Sequence, residues 1–393
     1  MNFITEKINQ LKSNEYYVRF PELLDKSPKK HVLFLAPYAN ATGLYRVMLP
    51  AREINKTNTH LAIINQLIPY DISAPQKKIN EVNWHLSDEL IAWADYIVFP
   101  TCTSPIQDHI KMLRSVNKKS HLQFVMDIDD NYHIPNPQEN AKTALISRKN
   151  LLENMASCDI ITCTNQFLGN FYLNLLNNDK YKLPAFFVVP NFMSDAYLKD
   201  IQITKPKSQK QRCLISLNPT QWNDVFPLNK TFKEINKAYP NLELCLFGWN
   251  GKIGFKDAFD KVKVTLISPV PIDKYFNELA NHQFDFALMP LQENDFNASK
   301  SHHKLLQYGQ MGIAASVSDV LPYSEILASE GGINNTQFLP AIKIKQSEDI
   351  LKAVDFYVTN TEAKNNIINN AKVYVNQYHK WENKPNYLQN VYK

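Results

Sequence analysis

Glycine is scarce. The 393 residues hold nine, where average usage of about 7% gives roughly 27. They are Gly43, Gly169, Gly248, Gly251, Gly254, Gly309, Gly312, Gly331 and Gly332. No window reads GxGxxG or GxxxxGK[ST]. This excludes the dinucleotide fingerprint and the P-loop, which use glycine to bring backbone close to phosphate. Arginine is also short: Arg19, Arg46, Arg52, Arg114, Arg148 and Arg212 are all there is. Phosphate binding beyond residue 212 must therefore use lysines and helix N-termini. The five cysteines are odd in number and form no CxxC pair, which excludes a zinc site and a disulfide framework and points to a reducing compartment. No apolar run approaches the length of a membrane span. The N-terminal MNFITEKINQLKSNEYY has no apolar h-region, so no signal peptide is expected. The net charge of +5 is too small to argue for nucleic acid, though it suits weak attraction to an anionic membrane surface.

What is present is a long series of short apolar runs. They are His31–Ala36, Leu61–Ile64, Tyr96–Phe99, Leu122–Met126, Ile160–Cys163 and Phe186–Val189, then Cys213–Leu217, Leu242–Phe247, Val262–Ile267, Phe284–Met289, Ile313–Val317 and Phe338–Ile342. Each is near-continuous rather than alternating, as strands buried on both faces are. Amphipathic stretches between them, such as Leu44–Ile54, Ser87–Ala94, Leu151–Met155, Gln166–Leu176, Leu228–Ala238 and Lys300–Met311, read as helices. Alternating βα units predict an α/β fold with parallel sheets. The polar, lysine-rich TKPKSQKQR breaks the series in two. The expectation is two facing doubly wound, Rossmann-like domains. The first spans residues 1–195, a linker 196–211, the second 212–362, and 363–393 is a helix-like, aromatic-rich segment.

Ligands bind beyond the carboxyl ends of strands in such sheets, so polar residues after strands are the candidates. After the first run, Gly43 permits close backbone approach, and Tyr45 and Arg46 open a helix; the alternative is a structural turn. After the fourth, MDIDDNYH carries Asp127, Asp129 and Asp130, with His133 a weaker candidate. Such carboxylates hold a divalent metal, hold a sugar hydroxyl or act as a general base, unless they only cap a turn. Asp129 and Asp130 cannot be separated by sequence. In the second half, Asn218 and Thr220 of LNPTQWND are possible phosphate donors. Gly248 and Trp249 lie in FGWNGKIG, where the indole either stacks on a base or packs, and Pro271 follows the next strand.

The strongest segment is MPLQENDFNASKSHHKLLQYGQMGI. Asn297 or Ser299 is expected to cap a helix beginning near Lys300, with Lys300 and Lys304 on one face and Ser301 and His302 in the first turn. Two lysines and free backbone N–H groups make a diphosphate cradle without glycine or arginine. A merely solvated basic face is disfavoured, because lysine at a helix N-terminus opposes the macrodipole. Tyr323, Ser324 and Glu325 follow the next strand in SDVLPYSEI.

Residues 289–325 resemble the donor-binding segment of the two-domain GT-B glycosyltransferases. The likeness is strongest to the family-4-like group that builds bacterial surface polysaccharides such as capsule, O-antigen and lipopolysaccharide. That group shows KS-x-x-K-x-x-E-Y, a small-residue stretch, a strand and SD-x-x-PY; this chain reads KSHHKLLQYGQMGIAASVSDVLPY. MDIDD and GLYRVMLP look like segments of a subgroup. The resemblance implies a nucleotide diphosphate sugar bound by the second domain and a saccharide or lipid-linked acceptor bound by the first, near Gly43, Tyr45, Arg46 and His133. It implies that the helical segment 363–393 returns to the first domain. It implies a cytoplasmic enzyme, in peripheral membrane contact if the acceptor is lipid-linked. Lys300, Lys304 and the helix end would stabilise the leaving diphosphate, so no metal or other cofactor is needed. Asp129 or Asp130 would be the base if the reaction inverts. Gln307 stands where the group usually has a glutamate that contacts ribose, and Asn218-Pro219-Thr220 replaces a glycine-containing loop. A nucleotide-sugar 2-epimerase of the same fold, or a catalytically silent homologue, are the alternatives.

Overall fold

The computed structural model describes residues 29–35, 40–64, 88–134, 141–198, 201–204, 209–216, 222–248, 259–329 and 341–393. The chain divides into two compact units, Met1–Ala196 with Lys384–Lys393, and Tyr197–Asn383.

In the first unit, β1 (Lys30–Phe34), β2 (His60–Ile64), β3 (Tyr96–Phe99), β4 (Gln123–Ile128), β5 (Ile160–Cys163) and β6 (Ala185–Val188) form one sheet in the order β2-β1-β3-β4-β5-β6. All pairings are parallel. The helices α1 (three consecutive stretches, Ala41–Gly43, a π-helical Leu44–Met48, and Leu49–Ile54), α2 (Asp88–Trp93), α3 (Gln107–Asn117), α4 (Ala141–Ser157) and α5 (Gln166–Asn178) connect the strands. Ile97, Phe99, Phe124, Met126 and Ile161 on the sheet pack with Leu113, Leu151, Met155, Leu168 and Tyr172 of α3, α4 and α5. Runs apolar on both sides become strands because both faces are covered by helices.

The second unit repeats the principle with another order. β7 (Arg212–Ser216), β8 (Glu243–Phe247), β9 (Val264–Ile267), β10 (Phe286–Met289), β11 (Ala314–Ser318) and β12 (Ile342–Ile344) align as β12-β11-β10-β7-β8-β9. These pairings are also parallel. Its helices are α6 (Asn229–Ala238), α7 (Ile272–His282), α8 (His303–Met311), α9 (Tyr323–Ser329), α10 (Ser347–Thr359) and α11 (Thr361–Tyr378). Gly309 lets α8 and α11 approach closely, since a Cβ there would lie 2.9 Å from the Cβ of Ala371. The strand order reverses between β1 and β3 in the first sheet and between β7 and β10 in the second. Those switch points are where open α/β sheets leave a crevice.

Eleven of the twelve expected runs overlap a strand over most of its length, and Tyr96–Phe99 and Ile160–Cys163 keep their bounds; Phe338–Ile342 lies largely outside the described residues and meets β12 only at Ile342. Three helical expectations need correction. α4 begins at Ala141, not Leu151, because its first turns leave Leu145 and Ile146 exposed and carry no apolar stripe to read. α8 begins at His303, not Lys300. The segment 363–393 is divided between the units: α11 packs on α8 and β11, and only residues 384–393 count with the first unit. There Tyr392 lies edge-on to Tyr96 at 5.3 Å, and Tyr387 Oη donates to Val188 O at 2.9 Å. Residues within the expected linker are tied to α7: Gln202 N donates to Asn277 Oδ1 at 3.2 Å and Thr204 N to Asn281 Oδ1 at 2.7 Å.

Candidate functional site

In the second unit the polar residues gather at the switch point. The chain leaves β10 and makes a separate helical turn, Asp295–Ala298, capped by the side chain of Asn294. Asn297 is thus not the cap of α8. It is buried, its Nδ2 donates to Asp224 Oδ1 at 2.7 Å, and its Oδ1 accepts from Lys300 Nζ at 2.6 Å. Lys300 sits in the turn between the two helices, above the ring of Phe296 at 4.6 Å and 3.9 Å from Asp224 Oδ2. His302 is the N-cap of α8, with no side-chain capping bond, and Ser301 Oγ accepts from His303 N at 3.2 Å. Lys304, in the first turn, reaches back across the switch point and donates to Ser216 O, at the end of β7, at 3.2 Å.

The charge balance here is unusual. Burial, then the nearby Lys300, pull the Lys304 ammonium down to about 7, and Asp224 only partly offsets this. Burial also raises Asp224. Burial lowers His302 to about 3 and His303 to about 4, so both imidazoles are neutral at physiological pH. Positive charge therefore comes from Lys300 and from Lys304 when it holds its proton, at a helix N-terminus whose dipole favours an anion. A diphosphate would relieve the repulsion.

The other predicted residues of this unit are spread out. Gln307 is buried one turn further along α8, where Tyr275 Oη donates to its Oε1 at 3.3 Å. Tyr323 is buried, Ser324 half-buried and Glu325 exposed at the start of α9. Gly248 has φ 93°, a left-handed turn that suits glycine, and its N–H donates to Ile267 O at 3.0 Å. Pro271 is exposed at the N-cap of α7. Asn218, Thr220 and Trp249 lie outside the described residues. Asp224 was not singled out from sequence. It sits at the end of the LNPTQWND loop, and only the fold shows that it holds Gln292 N (2.9 Å) together with Asn297 and Lys300.

In the first unit, α1 and the loop after β4 meet. Asp129 Oδ2 accepts from Thr42 Oγ1 at 2.8 Å, and Oδ1 accepts from Tyr132 Oη at 2.8 Å and Thr101 Oγ1 at 3.4 Å. Asp130 Oδ1 accepts from Asn131 N at 2.8 Å. Both carboxylates are partly exposed, whereas Asp127 is buried. Arg46 turns inward to Asp127: Nε donates to Oδ2 at 2.9 Å and Nη2 to Oδ1 at 2.6 Å. Its Nη1 donates to Val189 O and to Asn191 Oδ1. Despite the burial cost, Asp127 holds the guanidinium pKa above its ordinary value. Tyr45 is buried with its hydroxyl 3.9 Å from Met193 Sδ, and Gly43 N donates to Asn40 Oδ1 at 3.0 Å. The three α1 candidates are therefore internal, and Thr42 beside them is the residue that touches the acidic loop. His133 stands edge-on to Phe171 at 6.0 Å. Burial, and then the charge of Arg148, lower its pKa.

Among the described residues no group of three or more His, Cys, Asp or Glu side chains could hold a metal ion. No described helix is long and apolar enough to cross a membrane.

No protein-family model and no curated protein sequence matches the chain. Solved structures do resemble it. An α-glucosyltransferase in complex with UDP-glucose and DNA containing an abasic site superposes with a TM-score of 0.65 at 10% identity, over 92% of this chain and 99% of that one. Sucrose-phosphate synthase from Thermosynechococcus elongatus gives 0.55 at 10% identity, over 93% and 98%. A structure described as a UDP-N-acetylglucosamine 2-epimerase from Listeria monocytogenes gives 0.51 at 13%, over 88% and 94%. The likeness is one of fold: α/β, with two Rossmann-like units of the GT-B class.

Proposed function

We propose that the chain is a glycosyltransferase that takes its sugar from a nucleotide diphosphate sugar. The observation that carries this reading is the pair Lys300 and Lys304, set around Asp224 at the switch point of the second sheet. Two lysines share the single carboxylate of Asp224; that arrangement suits a diphosphate, and it would stabilise the leaving group as the glycosidic bond to phosphate breaks. Gly248, Pro271, Ser301, His302, Gln307, Tyr323, Ser324 and Glu325, with Asn218, Thr220 and Trp249, are the proposed surroundings of the nucleotide and sugar. Lysine charge takes the part a divalent cation plays elsewhere, so the reaction is proposed to be metal-independent.

The acceptor, a saccharide or lipid-linked saccharide of surface polysaccharide synthesis, is assigned to the first unit. Asp129 or Asp130 acts as base if the product is inverted. The reaction is placed on the cytoplasmic side of the membrane, where such acceptors are built from nucleotide sugars. A neighbour of the same fold described as an epimerase supports a second reading, isomerisation of the nucleotide sugar without any acceptor.

The decisive experiment is a thermal-shift screen against UDP-, GDP-, dTDP- and CMP-sugars, repeated with EDTA and with Lys304→Ala. Stabilisation by one sugar nucleotide, unchanged by EDTA and lost in the variant, is expected. Equal binding by the variant would remove the assignment. Isomerisation of the bound sugar nucleotide alone would select the epimerase.

A further inference from the structure

In the first unit Arg46 and Arg148 each turn part of the guanidinium inward, and their surroundings differ. Arg46 presents Nε and Nη2, one edge of its fork, to both oxygens of Asp127. Arg148 has the same edge buried, yet among the described residues neither its Nε nor its Nη2 has a hydrogen-bond partner. A guanidinium is always charged, so it cannot escape this by losing a proton. Buried N–H donors left unpaired are costly, and the Nε–Nη2 edge matches a carboxylate or phosphate with two parallel hydrogen bonds.

Its position is that of a ligand site. Arg148 lies on α4 three and four residues before the core residues Leu151 and Leu152, so it shares their inward face. It is nearer the N-terminal end of α4, which follows β4 and therefore starts at the carboxyl edge of the sheet. Two turns on, Asn154 fixes α4 to the loop after β3: Nδ2 donates to Cys102 O and Ser104 O, each at 2.8 Å. The loop after β4 is fixed to α5, as Tyr132 N donates to Tyr172 Oη at 2.9 Å. In that loop His133 has a buried Nδ1 that also lacks a partner among the described residues. The nearby carboxylate Asp129 is occupied by Thr42, Thr101 and Tyr132.

We infer that Arg148, with His133 beside it, binds an oxyanion, phosphate or carboxylate, carried by the acceptor substrate. The acceptor is thus an anionic sugar or a phosphorylated carrier, held by two hydrogen bonds from the Arg148 edge while its hydroxyl lies toward Asp129. The inference rests on the assignment of the acceptor to the first unit.

The test is calorimetric titration of the full chain with glycerol 3-phosphate, glucuronate and neutral glucose, alongside UDP as a separate reporter of the second unit. One anionic probe should bind measurably tighter than glucose, and which one does so separates phosphate from carboxylate. Arg148→Met should weaken it about tenfold or more and leave UDP binding unchanged. Equal affinity for anionic and neutral probes, or an unaffected variant, overturns the proposal. Failure of UDP to bind counts against the transferase reading alone. Should the methionine variant not fold, Arg148→Lys keeps the charge but not the two-donor edge, and unchanged probe affinity there overturns the proposal equally.

Discussion

Asp224 and Lys300 stand 3.9 Å apart, carboxylate to ammonium, both shielded from solvent. The same carboxylate takes Gln292 N and Asn297 Nδ2, so one side chain sets the path of the chain leaving β10 as well as the position of a lysine. Asp224→Ala leaves those buried donors unpaired and should cost on the order of 3 kcal/mol. Urea denaturation reads that loss. Affinity for the sugar nucleotide should fall with it, whereas Asp224→Asn, which can still accept from Gln292 N, should fall between the two. Unchanged stability in the alanine variant would contradict the role given to this carboxylate.

Lys304 makes the second prediction one of protons. Its pKa in the folded chain is about 7, below the ordinary 10.5. The unfolded chain therefore binds more protons between these values, and this group's contribution to stability rises with pH from about 7 toward 10.5. A bound diphosphate favours the charged amine, so binding at pH 8 should take up close to one proton, and binding at pH 6 almost none. Calorimetry in buffers of different ionisation enthalpy measures the uptake. Lys304→Ala should abolish it, and proton release at pH 8 would show that the diphosphate does not meet this amine.

Arg46 and Asp127 should matter for folding more than for substrate. Arg46→Met strands Asp127 in the interior with Thr162 Oγ1 at 2.5 Å as its remaining side-chain partner, at a cost of about 3–5 kcal/mol. The double variant Arg46→Met/Asp127→Leu should lose less than the sum of the single changes, since it removes both charges together. Additive losses in chemical denaturation would show that the two residues do not act as a pair.

Gly309 should tolerate no side chain. The alanine Cβ would meet Ala371 Cβ at 2.9 Å and the Ala371 carbonyl oxygen at 3.3 Å, so α8 and α11 must separate. The expected penalty is about 1–3 kcal/mol, and because α8 carries Lys304, weaker sugar-nucleotide binding should accompany it. Ala371→Gly in the same chain should restore both. A melting temperature unchanged by Gly309→Ala would argue against close packing of these helices.

The strands were readable because a run such as YIVF at Tyr96–Phe99 can be apolar throughout only when both its faces are covered. The first turns of α4 were not, because Leu145 and Ile146 face solvent there and give no periodic stripe. Site chemistry was legible as residue types after strands, but not as partnerships. Arg46 and Arg148 are two of only six arginines in the chain. Which of the two meets an internal carboxylate depends on Asp127, more than eighty positions from Arg46 in the chain, and no local pattern encodes that distance. Lys300 and Lys304 were placed on one helix by their spacing. Lys300 instead lies between the turn capped by Asn294 and α8, yet it still reaches Asp224, while Lys304 reaches the end of β7.

The division of the chain into units also sets the order in which they are completed. The second unit is one continuous stretch, Tyr197–Asn383, whereas the first is closed by Lys384–Lys393. Tyr387 and Tyr392 from that last stretch bond to Val188 and pack on Tyr96. On the ribosome, the half made first must wait until the half made second has been translated before it can be completed, and the unit that carries the lysines is the one able to fold ahead of it.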